Sequence, residues 1–302
     1  MTDALRTQAQ RLLDRLDESE CISPDNSERI RERLEETGEV DAIVFECTLG
    51  GMPGSWDLAF RVKTERLKDH LNAHSAAGKH AAGFIALDPQ RCPTAWVEWD
   101  TSQGQGDLPS LFAQFRRDVP LESLCADLSE TLGAAQSAAR IRAWMSALPP
   151  GTHARHVGKM LARSDDEIRV VIGGMQLPEL IEVLEERALV KGELLRGALA
   201  PIGFHGGRAH LAVGFNPELL PRIGVEMVLP WAQMAPIARR LAAAEQWTVE
   251  EAEVLASWPE FCRLPASARP WPSPFGAHLK WVFDGEKPIV RKLYLHIERK
   301  HV

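Results

Sequence analysis

The sequence predicts an α+β fold, an antiparallel β-barrel of about ten strands in five hairpins with helices around it. Three observations lead there. Segments of alternating hydrophobicity come in pairs, most of them divided by a short polar or Gly/Pro turn, which is the mark of a hairpin. Helical-period segments lie between the pairs, so the strand–helix alternation that builds a parallel sheet is missing. The polar strand faces are over-supplied with Arg, Lys, His, Tyr and Trp, where a solvated face usually mixes Lys, Glu, Thr and Ser. Faces of that kind can converge on one lumen, and closure would remove the sheet edges. An ordinary antiparallel sheet with one wet face is the competing reading.

The elements follow in order. Leu5, Leu12, Leu13 and Leu16 recur at helical spacing, and Ser27 opens a second charged helix through Leu34. Residues 1–38 are therefore expected as a helical segment packed outside a single barrel domain spanning 1–302. The period drops to two over Asp41–Leu49 and again over Trp56–Val62, with Gly50, Gly51, Pro53 and Gly54 between them. A helix follows around Glu65–Ala73. The second pair is Phe84–Leu87 with Ala95–Trp99, before helical patterns carrying Leu111, Phe112, Phe115, Leu121, Leu124 and Leu128. The third is Val157–Ala162 with Ile168–Ile172 around the turn Ser164–Asp166. The next helix has Pro178 near its first turn, where a missing N–H costs nothing. The fourth pair is Ala209–Phe215 with Ile223–Leu229, then a helix bearing Trp231, Met234, Ile237 and Leu241. The fifth is His278–Phe283 with Val290–Ile297, divided by Asp284 and Gly285, after a loop from Pro265 to Pro274.

Composition narrows the function. With 302 residues and 45% hydrophobic content the chain can bury a sizeable core. A net charge of -7 argues against general nucleic-acid or anionic-membrane binding. Five scattered cysteines without a CxxC pair suit reduced thiols. The N-terminus lacks a signal-peptide layout, and no apolar run approaches the ~20 residues of a membrane span. A cytoplasmic protein is expected. Gly50–Gly54 does not end in Gly-Lys-Ser/Thr and reads as a turn rather than a phosphate cradle. No GxSxG, HExxH or aspartate-rich magnesium motif occurs, and no metal site is expected.

Sorting each strand by face yields the candidate site. Opposite the apolar rows lie Glu46 and Thr48, Asp57 and Arg61, Trp96 and Glu98, Arg169, His210, Arg222 and Glu226, His278 and Lys280, and Lys292, Tyr294 and His296. The small residues Ala59, Gly83, Gly173, Ala212, Gly214 and Gly224 are assigned to the same side, as a cavity needs. Arg61, Arg169, Arg222, Lys280 and Lys292 suit a polyanion such as a diphosphate. Tyr294, the chain's single tyrosine, and Trp96 offer π faces to a cation. Glu46 can accept a hydrogen bond or proton, and Glu98, His210, Glu226, His278 and His296 remain as lumen or acceptor contacts.

This layout resembles the ABBA prenyltransferases, antiparallel barrels built from repeated helix–strand–strand–helix units. The likeness rests on Val44-Phe45-Glu46-Cys47-Thr48 followed by Leu58-Ala59-Phe60-Arg61-Val62, and on Arg291-Lys292-Leu293-Tyr294-Leu295, within a layout running from Asp41 to Val302. In size and final strand the chain is most similar to the cyanobactin-type peptide prenyltransferases, with bacterial enzymes acting on free aromatic compounds a near alternative. The resemblance implies that Glu46 contacts the acceptor, that Arg61 and Lys292 hold diphosphate, and that Tyr294 shields the allylic cation. Arg169, Lys280 and Arg222 stand where further basic residues are expected. The chain departs from the pattern in its single tyrosine and in a second hairpin that lacks the basic residue often found there.

The function expected is transfer of an isoprenoid group from dimethylallyl or geranyl diphosphate to a peptide side chain or an aromatic small molecule. No cofactor is required on this reading, Mg2+ being optional. The partners are then the diphosphate and its acceptor, with no nucleic acid and no membrane span. A non-catalytic barrel holding a small anion or peptide is the alternative.

Overall fold

A computed structural model describes residues 2–49, 55–72, 78–101, 108–160, 167–200, 208–229, 234–244, 248–249, 252–253, 256, 275–284 and 287–298. Ten antiparallel strands close into a barrel: β1 (Ala42–Leu49), β2 (Ser55–Lys63), β3 (Thr94–Trp99), β4 (Ser110–Gln114), β5 (His153–Lys159), β6 (Ile168–Gln176), β7 (Arg208–Asn216), β8 (Glu218–Leu229), β9 (Phe275–Asp284) and β10 (Lys287–Glu298). Each strand pairs with its sequence neighbours, and β10 pairs with β1 to close the ring. Before the successive hairpins come α1 (Thr2–Glu18) and α2 (Pro24–Glu36), α3 (Leu67–Asn72) and α4 (Gly78–Ile85), α5 (Leu121–Ala126) and α6 (Ala135–Ser146), α7 (Leu177–Glu186) and α8 (Gly192–Leu199), and α9 (Met234–Ala243).

The helices form because their apolar residues recur on one side. In α1, Leu5, Ala9, Leu12, Leu13 and Leu16 are all buried, and the helix packs on β1 and β10. Helix α2 starts cleanly: the Ser23 side chain accepts from the Asn26 N–H, and Pro24 fills the first turn. Asn26 then grips the wall, donating through Nδ2 to the Trp56 carbonyl and accepting the Trp56 N–H at Oδ1, both at 3.0 Å. Helix α7 opens with a reciprocal box between Gln176 and Glu179.

The core lies between the barrel wall and this helical shell. Phe45, Leu58, Phe60, Trp281, Phe283, Leu293, Leu295 and Ile297 point outward into it. Burying each such side chain contributes about 1.5–3 kcal/mol, so the wall is held from outside and its inner face can be polar.

The second hairpin corrects the sequence reading. Phe84 and Ile85 belong to α4, and the partner of β3 is β4, whose Leu111 and Phe112 carried a helical pattern. Gly83 likewise sits on a helix and does not face the lumen; a Cβ there would meet the Thr131 carbonyl at 2.4 Å. The third hairpin begins earlier than expected, at His153, and Asp284 is part of β9. The turns at Gly50–Gly54 and Ser164–Asp166, Gly285, Trp231 and the loop Pro265–Pro274 lie outside the described residues. Cys21, Cys47, Cys92 and Cys125 are buried. Among the described residues no helix is long and apolar enough to cross a membrane.

Candidate active site in the barrel lumen

A cavity of about 290 Å³ fills the barrel, and most side chains expected on the inner face line it: Glu46, Arg61, Trp96, Glu98, Arg169, His210, Arg222, Glu226, His278, Lys280, Lys292, Tyr294 and His296. Ala59, Ala212 and Gly224 line it too, whereas Thr48 and Asp57 do not.

The five basic residues expected together are spread along the barrel axis. Neighbouring strands run antiparallel, so the ends of even strands share one rim with the starts of odd strands. Arg61, near the end of β2, belongs to that rim with Trp96, His210 and His296. Arg169, near the start of β6, and Arg222, whose register partner is the terminal Asp284 of β9, belong to the opposite rim with Glu98. Lys292 and Lys280 are register partners at mid-height, beside Glu46, Tyr294, His278 and Glu226.

The middle layer is a set of paired charges. Lys292 Nζ donates to Glu46 Oε1, and Lys280 Nζ lies 2.8 Å from Glu226 Oε1. Burial alone would push the Glu46 carboxyl up, but Lys292, the hydrogen bond donated by Tyr294 and the charge of Lys280 outweigh it and hold the carboxyl below its usual range. Glu226 is held down in the same way, burial being outweighed by Lys280 and His278. Gly224 makes room for the lysine, since a Cβ there would stand 2.5 Å from Lys280 Cε. At the rims, Arg61 pairs with Glu298 at 3.4 Å and Arg169 with Glu167 at 2.7 Å.

Aromatic rings line the lumen from mid-height to the Arg61 rim. The His278 ring stacks on Tyr294 with centroids 4.1 Å apart, and His296 Nε2 is 2.7 Å from His278 Nδ1. Trp96 meets His156 and His296 edge-on, with the Arg61 guanidinium 5.5 Å from its ring. Burial keeps the Tyr294 hydroxyl protonated, and Glu46, Glu226 and Glu98 reinforce this, so Tyr294 is a neutral donor with an intact π face. Burial also drives His278 well below its ordinary value, aided by His296.

Arg155, His156, Gln114, Phe112 and Glu298 also line the cavity and were not nominated. Burial, with Arg155 adding to it, lowers His156 to about 3 and His210 to about 4. The sequence reading starts β5 at Val157, which leaves Arg155 and His156 outside it, and a β-bulge between Ala154 and His156 also disturbs the alternation there. One extra residue breaks the period of two, so Arg155 and His156 both reach the lumen. Gln114 and Phe112 were hidden by the helical reading of β4. The Lys292–Tyr294–His296–Glu298 alternation does mark Glu298. Among the described residues no group of three or more His, Cys, Asp or Glu side chains is arranged to hold a metal ion.

No model of a known protein family matches the chain, and no curated protein matches its sequence. Solved structures do match its shape. A 6-dimethylallyltryptophan synthase from Micromonospora olivasterospora, in complex with DMASPP and Trp, superposes with a TM-score of 0.63 at 11% identity, covering 97% of each chain. The NotF prenyltransferase superposes with a TM-score of 0.55 at 10% identity, covering 96% of this chain and 93% of that one. The closed ring of ten antiparallel strands in its helical shell is the ABBA prenyltransferase barrel fold.

Proposed function

We propose that the protein transfers an isoprenoid group from an allylic diphosphate to a nucleophilic acceptor inside the barrel. The observation that carries this reading is the mid-height layer, where two adjacent lysines, a buried carboxylate and a neutral tyrosine face one cavity. The shared fold with a synthase bound to DMASPP and Trp supports it. Lys280 and Lys292 take the diphosphate, and the rim arginines Arg61, Arg169 and Arg222 add field to the same lumen. Preorganised cations of this kind stabilise charge as it grows on the leaving group.

As the donor's C–O bond breaks, its electron pair leaves with the diphosphate and an allylic cation remains. Tyr294 and Trp96 offer it π faces and keep water away. The acceptor's electron pair then forms the new bond to the allylic carbon, and its proton passes to Glu46. Glu46 also aims the nucleophile by accepting its N–H or O–H. The acceptor is an electron-rich ring, either free or as a peptide side chain. A cavity of about 290 Å³ is at the small end of ligand pockets (~300–1,000 Å³), which favours dimethylallyl over geranyl diphosphate.

The test is incubation of the purified protein with each diphosphate and a panel of indoles, phenols and Trp- or Tyr-containing peptides, with and without a chelator. The expected result is an acceptor heavier by one isoprenoid unit in both conditions. No product and no diphosphate binding would retire the proposal. Binding without product, unaffected by Glu46→Gln, would favour a non-catalytic anion carrier.

A further inference from the structure

Two roles of the mechanism meet in one ion pair. Lys292 is needed by the diphosphate and Glu46 by the acceptor, yet the Lys292 ammonium donates to the Glu46 carboxylate. We propose that Lys292 is a shared cation: the donor's diphosphate takes it from Glu46, so that Glu46 can receive the acceptor's proton only when the donor is in place. This rests on the prenyl-transfer reading above.

The geometry makes the exchange local. Lys292 and Lys280 are register partners on β10 and β9, and each holds its own carboxylate on the next strand of the wall, Glu46 on β1 and Glu226 on β8. A diphosphate between the lysines offers both ammonium groups an acceptor with more negative charge than the carboxylate each already has. Glu46 is 3% exposed and keeps the Tyr294 hydroxyl as a donor when Lys292 turns away. Its remaining lone pairs then face the cavity with no cation on them, and a buried carboxylate without its cation holds a proton more tightly. An acceptor N–H or O–H supplies that proton. When the diphosphate leaves after transfer, Lys292 returns to Glu46, weakens its hold on the proton and releases it to water. A barrel without donor therefore has a poor base, and acceptor chemistry cannot begin early.

The experiment is calorimetric titration with the thio analogue of dimethylallyl diphosphate, whose C–S bond resists ionisation. Wild type should bind it, and Glu46→Gln should bind it about tenfold tighter while losing transfer, because the competing carboxylate is gone. Equal or weaker binding by a folded Glu46→Gln protein overturns the shared-cation proposal but leaves prenyl transfer standing. Failure of wild type to bind the analogue sinks the prenyl-transfer reading itself. If Glu46→Gln does not fold, the wild-type complex decides by crystallography. Lys292 Nζ on a diphosphate oxygen and parted from Glu46 supports the proposal, and Lys292 still on Glu46 overturns it.

Discussion

Phe45 and Glu46 are neighbours on β1 and face opposite sides of the barrel wall. Phe45 is fully buried among apolar side chains of the helical shell, whereas Glu46, almost as buried, meets Lys292 and Tyr294 of the neighbouring strand β10 on the lumen side. Along β10 the same division separates Leu293, Leu295 and Ile297 from Lys292, Tyr294 and His296. The outer face derives its stability from area removed from water, which is non-directional. The inner face carries charges that burial alone would penalise, and Lys280, Lys292, Arg61 and Arg169 persist there because each is paired with a carboxylate. A wall built this way can change its chemistry without changing its fold, provided the inner charges stay balanced.

Substituting the two neighbours separates the two faces. Glu46→Gln should lower transfer by about 10²–10⁴-fold under saturating donor, read as product per minute. Phe45→Ala should lower stability by about 3–5 kcal/mol in urea unfolding, with transfer per folded molecule unchanged. Activity lost through Phe45→Ala at full folding would break the division.

Acid should act on the inner face first. His156 and His210 have folded values of about 3 and about 4, below the ordinary 6.5, so the folded protein holds them neutral. The unfolded chain takes up those protons below about pH 6.5 and the folded one does not, so stability falls as the pH drops through that window. Glu46 and Glu226 have lowered values and begin to contribute losses only below the ordinary carboxylate value of 4.5. The urea midpoint should therefore drop between about pH 6.5 and 4.5, and His156→Asn should flatten that drop. An unchanged slope in the variant would remove His156 from the account. The smallest effect belongs to the outside: Arg116→Ala breaks an exposed pair with Asp118 and should leave the urea midpoint almost unchanged.

The lumen was legible wherever a strand kept a period of two. Arg61, Lys280, Lys292 and Tyr294 could be assigned to the inner face from their neighbours alone, since successive side chains of a strand must alternate. Phe84–Leu87 shows the limit, because a short apolar run has no period and suits a helix or a strand equally. The bulge at Arg155 shows another, since an unpaired residue is defined by the partner strand and leaves no local mark.

Alternation, hairpin order and the supply of cationic and aromatic side chains are properties of adjacent residues, and these residues alone specify them. Closure of β10 on β1, the separation of Arg61 from Arg169 and Arg222 by most of the barrel's height, and the pairing of Lys292 with Glu46 join positions far apart in the chain. Those features depend on strand tilt and stagger, which the closed ring sets collectively and no single segment encodes.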